Sequence, residues 1–312
     1  MQTSRYSILV IILLLSAGKL LSQNIYDFLR LDISPRTAAV GGSFVAGTDD
    51  PNVIFYNPAG INFLENVPVS FSYLNHLLDI NVTSLSIAKE FEGIGHFGVG
   101  VEYINYGDFR RRDAEGTELG EFGAGDMAFI LGYGNKLDEN FFYGINTKLI
   151  YSSIDNIASA AIAFDIGLQY YFPAQEFNVG FSVLNLGTQL NSYYTLKEDL
   201  PIDIRFGFSK KFTRLPVKLY FNFFKLNEEQ DKISDRLKNF SFGGELNLSK
   251  VIRLRLGYDN EKRQELVIGS TAGLSGISLG VGLNISSYMF DYAYSSLGLI
   301  GGWHRIGVTT SF

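Results

Sequence analysis

The sequence predicts an all-β protein: a transmembrane antiparallel β-barrel of about 14 strands behind an N-terminal plug segment. Three observations carry this. The first is period-two hydrophobicity repeated along most of the chain. In the last stretch, Ile306, Val308, Thr310 and Phe312 fall on one side of an extended strand, and Arg305, Gly307, Thr309 and Ser311 on the other. The second is that the connections between strands alternate between tight turns and longer, charged segments. The third is composition: 14% aromatic residues, 33 Gly, 7 Pro and only 19% charged residues, a mixture that favours strands.

Composition also removes whole classes of function. A formal net charge of −6 gives no basic surface for nucleic acid. There is no cysteine, hence no disulfide framework, thiolate metal site or thiol nucleophile. The first residues read as a secretory signal over 1–23, with Arg5 as the charged start, Ile8 to Leu15 as the apolar core and a cut expected between Ala17 and Gln23. A membrane-spanning anchor is disfavoured there, because the apolar run is shorter than the roughly 20 residues a spanning helix needs.

Residues 24–66 do not alternate. Ser34-Pro35 suggests a helix start and Gly41-Gly42 its end, while Asn57-Pro58 and Ala59-Gly60 suggest turns. The segment is too small to fold alone and is expected in or against the barrel lumen. The barrel follows over 67–312. Weak strands near Pro68–Leu74 and Asn81–Phe91 come first, the second with an alternation that slips between Val82 and Leu85, as either a bulge or a miscount of the strand would make it. Clear alternation then begins at Phe97, Met127, Phe141, Ile162, Phe177, Ile202, Val217, Phe240, Ile252, Ile277, Tyr288 and His304.

Tight turns are expected near Glu92-Gly93, Leu137–Glu139, Pro173–Gln175, Thr213-Arg214, Ser249-Lys250 and Ser286-Ser287. The long connections are Tyr106–Gly123, Gly187–Leu200, Leu226–Lys238 and Asn260–Ser275. This sorting implies a bacterial outer-membrane barrel with both termini periplasmic and the long loops extracellular. A soluble β-sandwich also alternates, but without the loop sorting. Charges opposite the apolar faces, among them Glu102, Lys148, Asp165, Arg205, Lys218, Glu245, Arg253, Arg255 and Asp291, then line a polar lumen as solvated or mutually paired wall.

Catalytic patterns are missing. His76, His96 and His304 are not at metal-ligand spacing, and no Ser lies in a nucleophile elbow. Gly41-Gly42 and Gly280-Val281-Gly282 read as turn or strand glycines rather than phosphate loops. Asp259 and Glu261 suggest at most a loop calcium site. No enzyme activity, metal or cofactor is expected.

The block Pro35-Arg36-Thr37-Ala38-Ala39-Val40-Gly41-Gly42-Ser43-Phe44-Val45-Ala46, with Asp49-Asp50 and Asn57-Pro58-Ala59-Gly60, resembles the amino-terminal signature of the outer-membrane long-chain fatty acid transporter (FadL-like) superfamily. Within it the chain looks most like the PorV/PorQ family of the Bacteroidota type IX secretion system. Tyr26-Asp27-Phe28-Leu29 and Gly301-Gly302-Trp303-His304-Arg305 lean toward the PorQ branch, whereas Phe55-Tyr56 reads equally like the fatty acid transporters. The resemblance implies a 14-stranded barrel holding its amino-terminal segment, with Arg36, Gly41, Gly42, Asn57, Pro58 and Gly60 as the plug motif. It implies a non-enzymatic role in anchoring a surface partner, PorZ-like or PorU-like, for cargo export and attachment, with lipopolysaccharide as a further ligand of that machinery. It also implies that Phe312 is the aromatic end that barrel assembly machinery recognises.

By position in the loops, Arg110, Arg111, Arg112, Tyr193, Tyr194, Lys232, Arg236, Lys262 and Arg263 are the candidate partner contacts. The alternative function is passive transport of a hydrophobic small molecule, with 24–66 as the gate.

Overall fold

The computed structural model describes residues 25–228, 232–266 and 273–312. The expected signal segment lies outside these. The alternating stretches form fourteen strands: β1 (Pro68–Asn75), β2 (Asn81–Phe91), β3 (Gly95–Arg112), β4 (Glu118–Asp138), β5 (Phe141–Ile154), β6 (Ile157–Phe172), β7 (Phe177–Asn191), β8 (Asp203–Lys211), β9 (Val217–Phe223), β10 (Phe240–Asn247), β11 (Ile252–Asp259), β12 (Ile277–Ile285), β13 (Tyr288–Ser296) and β14 (Gly302–Ser311). Each pairs antiparallel with its chain neighbours, and β1 closes on β14 from Pro68↔Ser311 to Asn75↔His304. The barrel therefore has no free sheet edge within its wall, the condition for spanning lipid.

Burial alternates along the wall-forming part of the strands as the sequence requires, with a break in β7, where Leu184 and Asn185 are both buried beside a register shift against β6. Outward residues such as Phe71, Leu131, Leu149, Phe206, Leu256, Leu279 and Ile306 remain 41–57% exposed. A sandwich would bury them against a second sheet; here they form the lipid-facing band. At the short-turn rim, aromatic rings make a belt from Phe91 and Phe97 through Tyr133 and Tyr143, and from Phe141 through Tyr170, Phe172 and Phe177 to Phe208, with centroids 4.7–6.3 Å apart. Aromatic girdles of this kind mark the boundary between lipid tails and headgroups.

Two expectations change. The pairing of β2 with β1 and β3 is unbroken from Asn81 onward, so there is no bulge near Val82: Val82, Ser84, Ser86 and Ala88 simply face inward. And Tyr106–Gly123 is largely strand rather than loop, because β3 and β4 continue past the wall and pair with each other as far as Arg112↔Glu118.

The N-terminal segment lies inside the barrel. It holds a short helix α1 (Pro35–Ala39) and 3-10 turns at Asp27–Arg30, Pro51–Phe55 and Pro58–Phe63. Pro35 opens α1 as expected, although the Ser34 hydroxyl makes no cap hydrogen bond; Gly41 and Gly42, at φ 71° and 74°, end it. Two further short helices, α2 (Ile233–Arg236) and α3 (Asn260–Glu265), sit in the long loops.

The segment crosses the whole lumen. Tyr26 is bound near the long-loop rim, its hydroxyl 2.5 Å from Ser159 Oγ, while Val67 pairs with Phe312 at the short-turn rim. The first described residues and the end of the chain thus lie near opposite rims; the N-terminus, expected on the periplasmic side, falls outside the described residues.

Candidate functional site

The interior of the barrel is the candidate site, and glycine shapes it. Strand interiors normally avoid glycine unless another backbone comes close. Here lumen-facing glycines are the seats of the plug. A Cβ on Gly307 would meet Pro35, on Gly280 Ala39, on Gly257 and Gly243 Val40, on Gly207 and Gly180 Val45, on Gly167 Asn57, on Gly144 Pro58, on Gly134 Ile61 and on Gly98 Ile54. The segment therefore runs round the inside of the wall from β14 back to β3, touching nearly every strand on the way.

The plug motif residues hold this course. Asn57 accepts from Ala59 N at 3.0 Å, so starting the Pro58 turn, and its amide donates to Val45 O at 2.7 Å and to Leu168 O of β6 at 3.2 Å. Gly60 packs on Val53 and Gly47, and Gly41 on the Tyr258 backbone, where a side chain would clash. Asn146 of β5 donates to Ile54 O at 2.9 Å, and Ser182 to Tyr56 O at 2.8 Å.

Charge then clamps the plug to the wall. Arg36 donates to both carboxylate oxygens of Glu245 (3.1 and 3.2 Å), to Asp49 O and to Asp49 Oδ2 (both 2.9 Å). Glu245 also receives Arg255 Nε at 2.6 Å, Arg255 reaches Asp291 at 2.5 Å, and Lys218 holds Asp49 at 3.0 Å. Burial raises the Asp49 pKa, but Arg36 and Lys218 lower it more, and it ends well below the usual carboxylate value.

A second network joins Lys148, Asp165, Asn146 and Asn185, with Lys148 Nζ 3.0 Å from Asp165 and 2.7 Å from Asn185 Oδ1. On β8, Arg205 pairs with Asp203 at 2.7 Å. The lumen charges are thus mostly paired wall, with Glu102 buried among them.

Toward the long-loop rim, Asp32 of the plug accepts from Tyr56 OH at 3.0 Å and from Lys262 Nζ at 3.3 Å. Burial raises its pKa, and Lys262, then Arg205 and Arg305, bring it below the normal range. Above it an apolar cluster of Leu74, Val82, Ile104, Ile150 and Leu200 closes over Tyr26, Phe28 and Leu29. At the short-turn rim a polar cavity of about 480 Å³ remains, lined by Arg36, Asp49, Asp50, Arg253, Asp291 and Ser311 among others.

The loop residues singled out from the sequence fall into different settings. Arg110 and Arg112 both reach Glu118 (3.2 and 3.0 Å), and Arg111 reaches Asp155 at 2.5 Å. Tyr193 contacts the Ser152 hydroxyl, and Tyr194 is exposed. Lys232 precedes α2, and Arg236 donates to Leu226 O at 3.5 Å. Lys262 ties α3 to the plug through Asp32 and to Asp259 at 2.9 Å, and Arg263 donates to Gly273 O. Burial lowers the Lys262 pKa, but the Asp259 and Asp32 carboxylates raise it well above normal.

Asp259 caps α3 and Glu261 pairs with Lys225 at 2.6 Å, so both oxygens proposed for calcium are engaged. Among the described residues no group of three His, Asp or Glu is arranged to hold a metal. Asp32 was not singled out from the sequence, and neither Tyr56 nor the seating glycines were given a place in the site. The repeated Gly on lumen faces was the available signal.

No protein-family model matches the sequence, and no curated protein matches it. Solved structures do. The toluene transporter TbuX of Ralstonia pickettii matches with TM-score 0.58 at 12% identity, over 89% of this chain and 98% of that one. The toluene transporter TodX of Pseudomonas putida matches with TM-score 0.58 at 12% identity, over 88% and 96%. A FadL homologue of Pseudomonas aeruginosa matches with TM-score 0.51 at 11% identity, over 94% and 99%. At these identities the likeness is one of fold, and in fold the chain is a FadL-like 14-stranded barrel with a non-strand segment at its N-terminus.

Proposed function

We propose that this chain is an outer-membrane scaffold of the PorV/PorQ kind, whose long-loop rim faces outward and holds a surface partner for cargo export and attachment. The single observation behind this reading is the filled lumen. The plug is seated on glycines around almost the whole wall and clamped by the buried Arg36–Glu245–Arg255 chain, which suits a rigid platform better than a conduit. Anchored loops on such a platform are where recognition residues concentrate. The test is a deletion strain together with pull-down from detergent-solubilised outer membranes. Loss of surface-attached cargo and recovery of a surface-exposed partner are expected; normal attachment with no partner would refute the reading.

A second reading, passive transport of an apolar small molecule, is favoured by the fold likeness to the toluene transporters. It also has a place in the barrel to point to: the apolar cluster now filled by Tyr26, Phe28 and Leu29, which would open if that stretch withdrew. A growth defect of the deletion strain confined to hydrophobic substrates, with normal cargo attachment, would select this reading.

A further inference from the structure

The projecting part of β3 and β4 is paired on one side only. β3 meets β2 no further than Asn105↔Asn81, and β4 meets β5 no further than Ala124↔Ile154. Beyond those points Gly123 O still accepts from Asp155 N at 3.0 Å; otherwise residues 108–112 and 118–123 pair only with each other. The result is a two-stranded ribbon with two free backbone edges standing above the wall. Such a ribbon is marginal alone in water, and a free edge is a template for another strand.

Its side chains are also unspent. Phe122 shares a face with Ala124 and Asp126, so it looks over the barrel mouth. Phe109 stacks on it with centroids 5.4 Å apart, Arg111 lies 5.8 Å from the Phe122 ring, and Phe109 and Leu119 stay 41% and 59% exposed. The three arginines are occupied by Glu118 and Asp155. Among the described residues Asp108, Glu115 and Glu121 have no ion-pair partner, nor has Asp79, which packs against Gly107 at the foot of the ribbon. The surplus charge is negative.

We infer that the β3–β4 ribbon is a strand-addition site: an extended segment of a surface protein, carrying Lys or Arg beside Asp108 and Glu121, pairs along one of its two free edges. Main-chain hydrogen bonds supply the affinity in this mode and the flanking charges the selection. The inference rests on the scaffold reading and gives its partner a chemistry.

The test is amide hydrogen exchange of the full chain in outer membranes from its own cells, compared with the purified chain in lipid vesicles. Amides of 108–112 or 118–123 are expected to exchange roughly tenfold or more slowly in the native membranes. Washing with about 1 M salt should abolish the protection, as should the paired changes Asp108→Lys and Glu121→Lys, with heat-modifiable mobility confirming an intact barrel. Protection that persists in vesicles of lipid alone, or that survives both salt and charge reversal, would overturn the inference. Protection of other rim loops but not of the ribbon would overturn it while leaving the scaffold reading in place. No protection anywhere on the rim would remove both. Because the chain has no cysteine, single changes such as Arg110→Cys also allow cross-linking at one defined point; a captured segment that is helical, or not basic, counts against the inference.

Discussion

Arg36 and Glu245 lie 209 residues apart and meet through two hydrogen bonds, of 3.1 and 3.2 Å, across the boundary between plug and wall. Both are buried, and each has a further charged partner, Asp49 for the arginine and Arg255 for the glutamate. Removing one member of such a pair leaves the other charge buried and uncompensated. Arg36→Ala is therefore expected to lower barrel stability by about 3–5 kcal/mol, whereas joint replacement of Arg36, Glu245 and Arg255 by apolar residues of similar volume costs much less. Urea unfolding in detergent, followed by gel mobility without boiling, measures both.

Gly144 supports the backbone of Pro58 so closely that any side chain would overlap it. Gly144→Leu should cost at least about 1–3 kcal/mol through overpacking, and it should lift the plug. The observable is an ion conductance in planar bilayers that the unaltered chain lacks, with new protease cleavage within 45–62. The control is Gly123→Ala on the projecting ribbon, where an added Cβ meets nothing closer than Asp108 Oδ1 at 3.9 Å and the backbone needs no left-handed conformation; it should stay silent and intact.

Asp49 gives a dependence on pH with a defined sign. Its carboxylate is depressed in the folded barrel, so its contribution is complete above the ordinary value of about 4 and fades as pH falls from there through the lower folded value. Asp49→Asn should thus be less stable than the parent at pH 7, and the difference should shrink steadily below about pH 4. A constant difference across that range would show that the charge is not what Asp49 contributes.

Phe312 is 76% exposed, yet its backbone is tied to Val67 by hydrogen bonds of 3.0 and 3.2 Å. Phe312→Asp is expected to refold in detergent with little change, because the ring packs on nothing that the fold needs. Its level in the outer membrane should nevertheless drop several-fold if the terminal aromatic is read by assembly machinery. Equal levels of both chains in the membrane fraction would dismiss that role.

The strands were legible because one face of each meets lipid and the other the plug, and that contrast is written as alternation. It fades where the environment becomes water on both sides, which is why Tyr106–Gly123 reads as a loop although most of it is strand. Asn57-Pro58 and Gly41-Gly42 were legible as local backbone signals, and the structure uses them so. The Arg36–Glu245 contact was not, since nothing local joins residues 209 positions apart. The seating glycines were visible one by one, but their common purpose needed the course of the plug.

That course has a consequence for how the molecule is made. The segment ending at Val67 lines the lumen from β14 round to β3, and the β1–β14 pairing is the seam that joins the first strand of the chain to the last. A strip in contact with nearly every strand is enclosed once that seam is paired. We predict that residues 25–67 are in place before the seam zips, so that the cylinder is assembled around its contents. On that order each new strand meets a surface that measures it, and the segment at the centre is the mould for the wall that later encloses it.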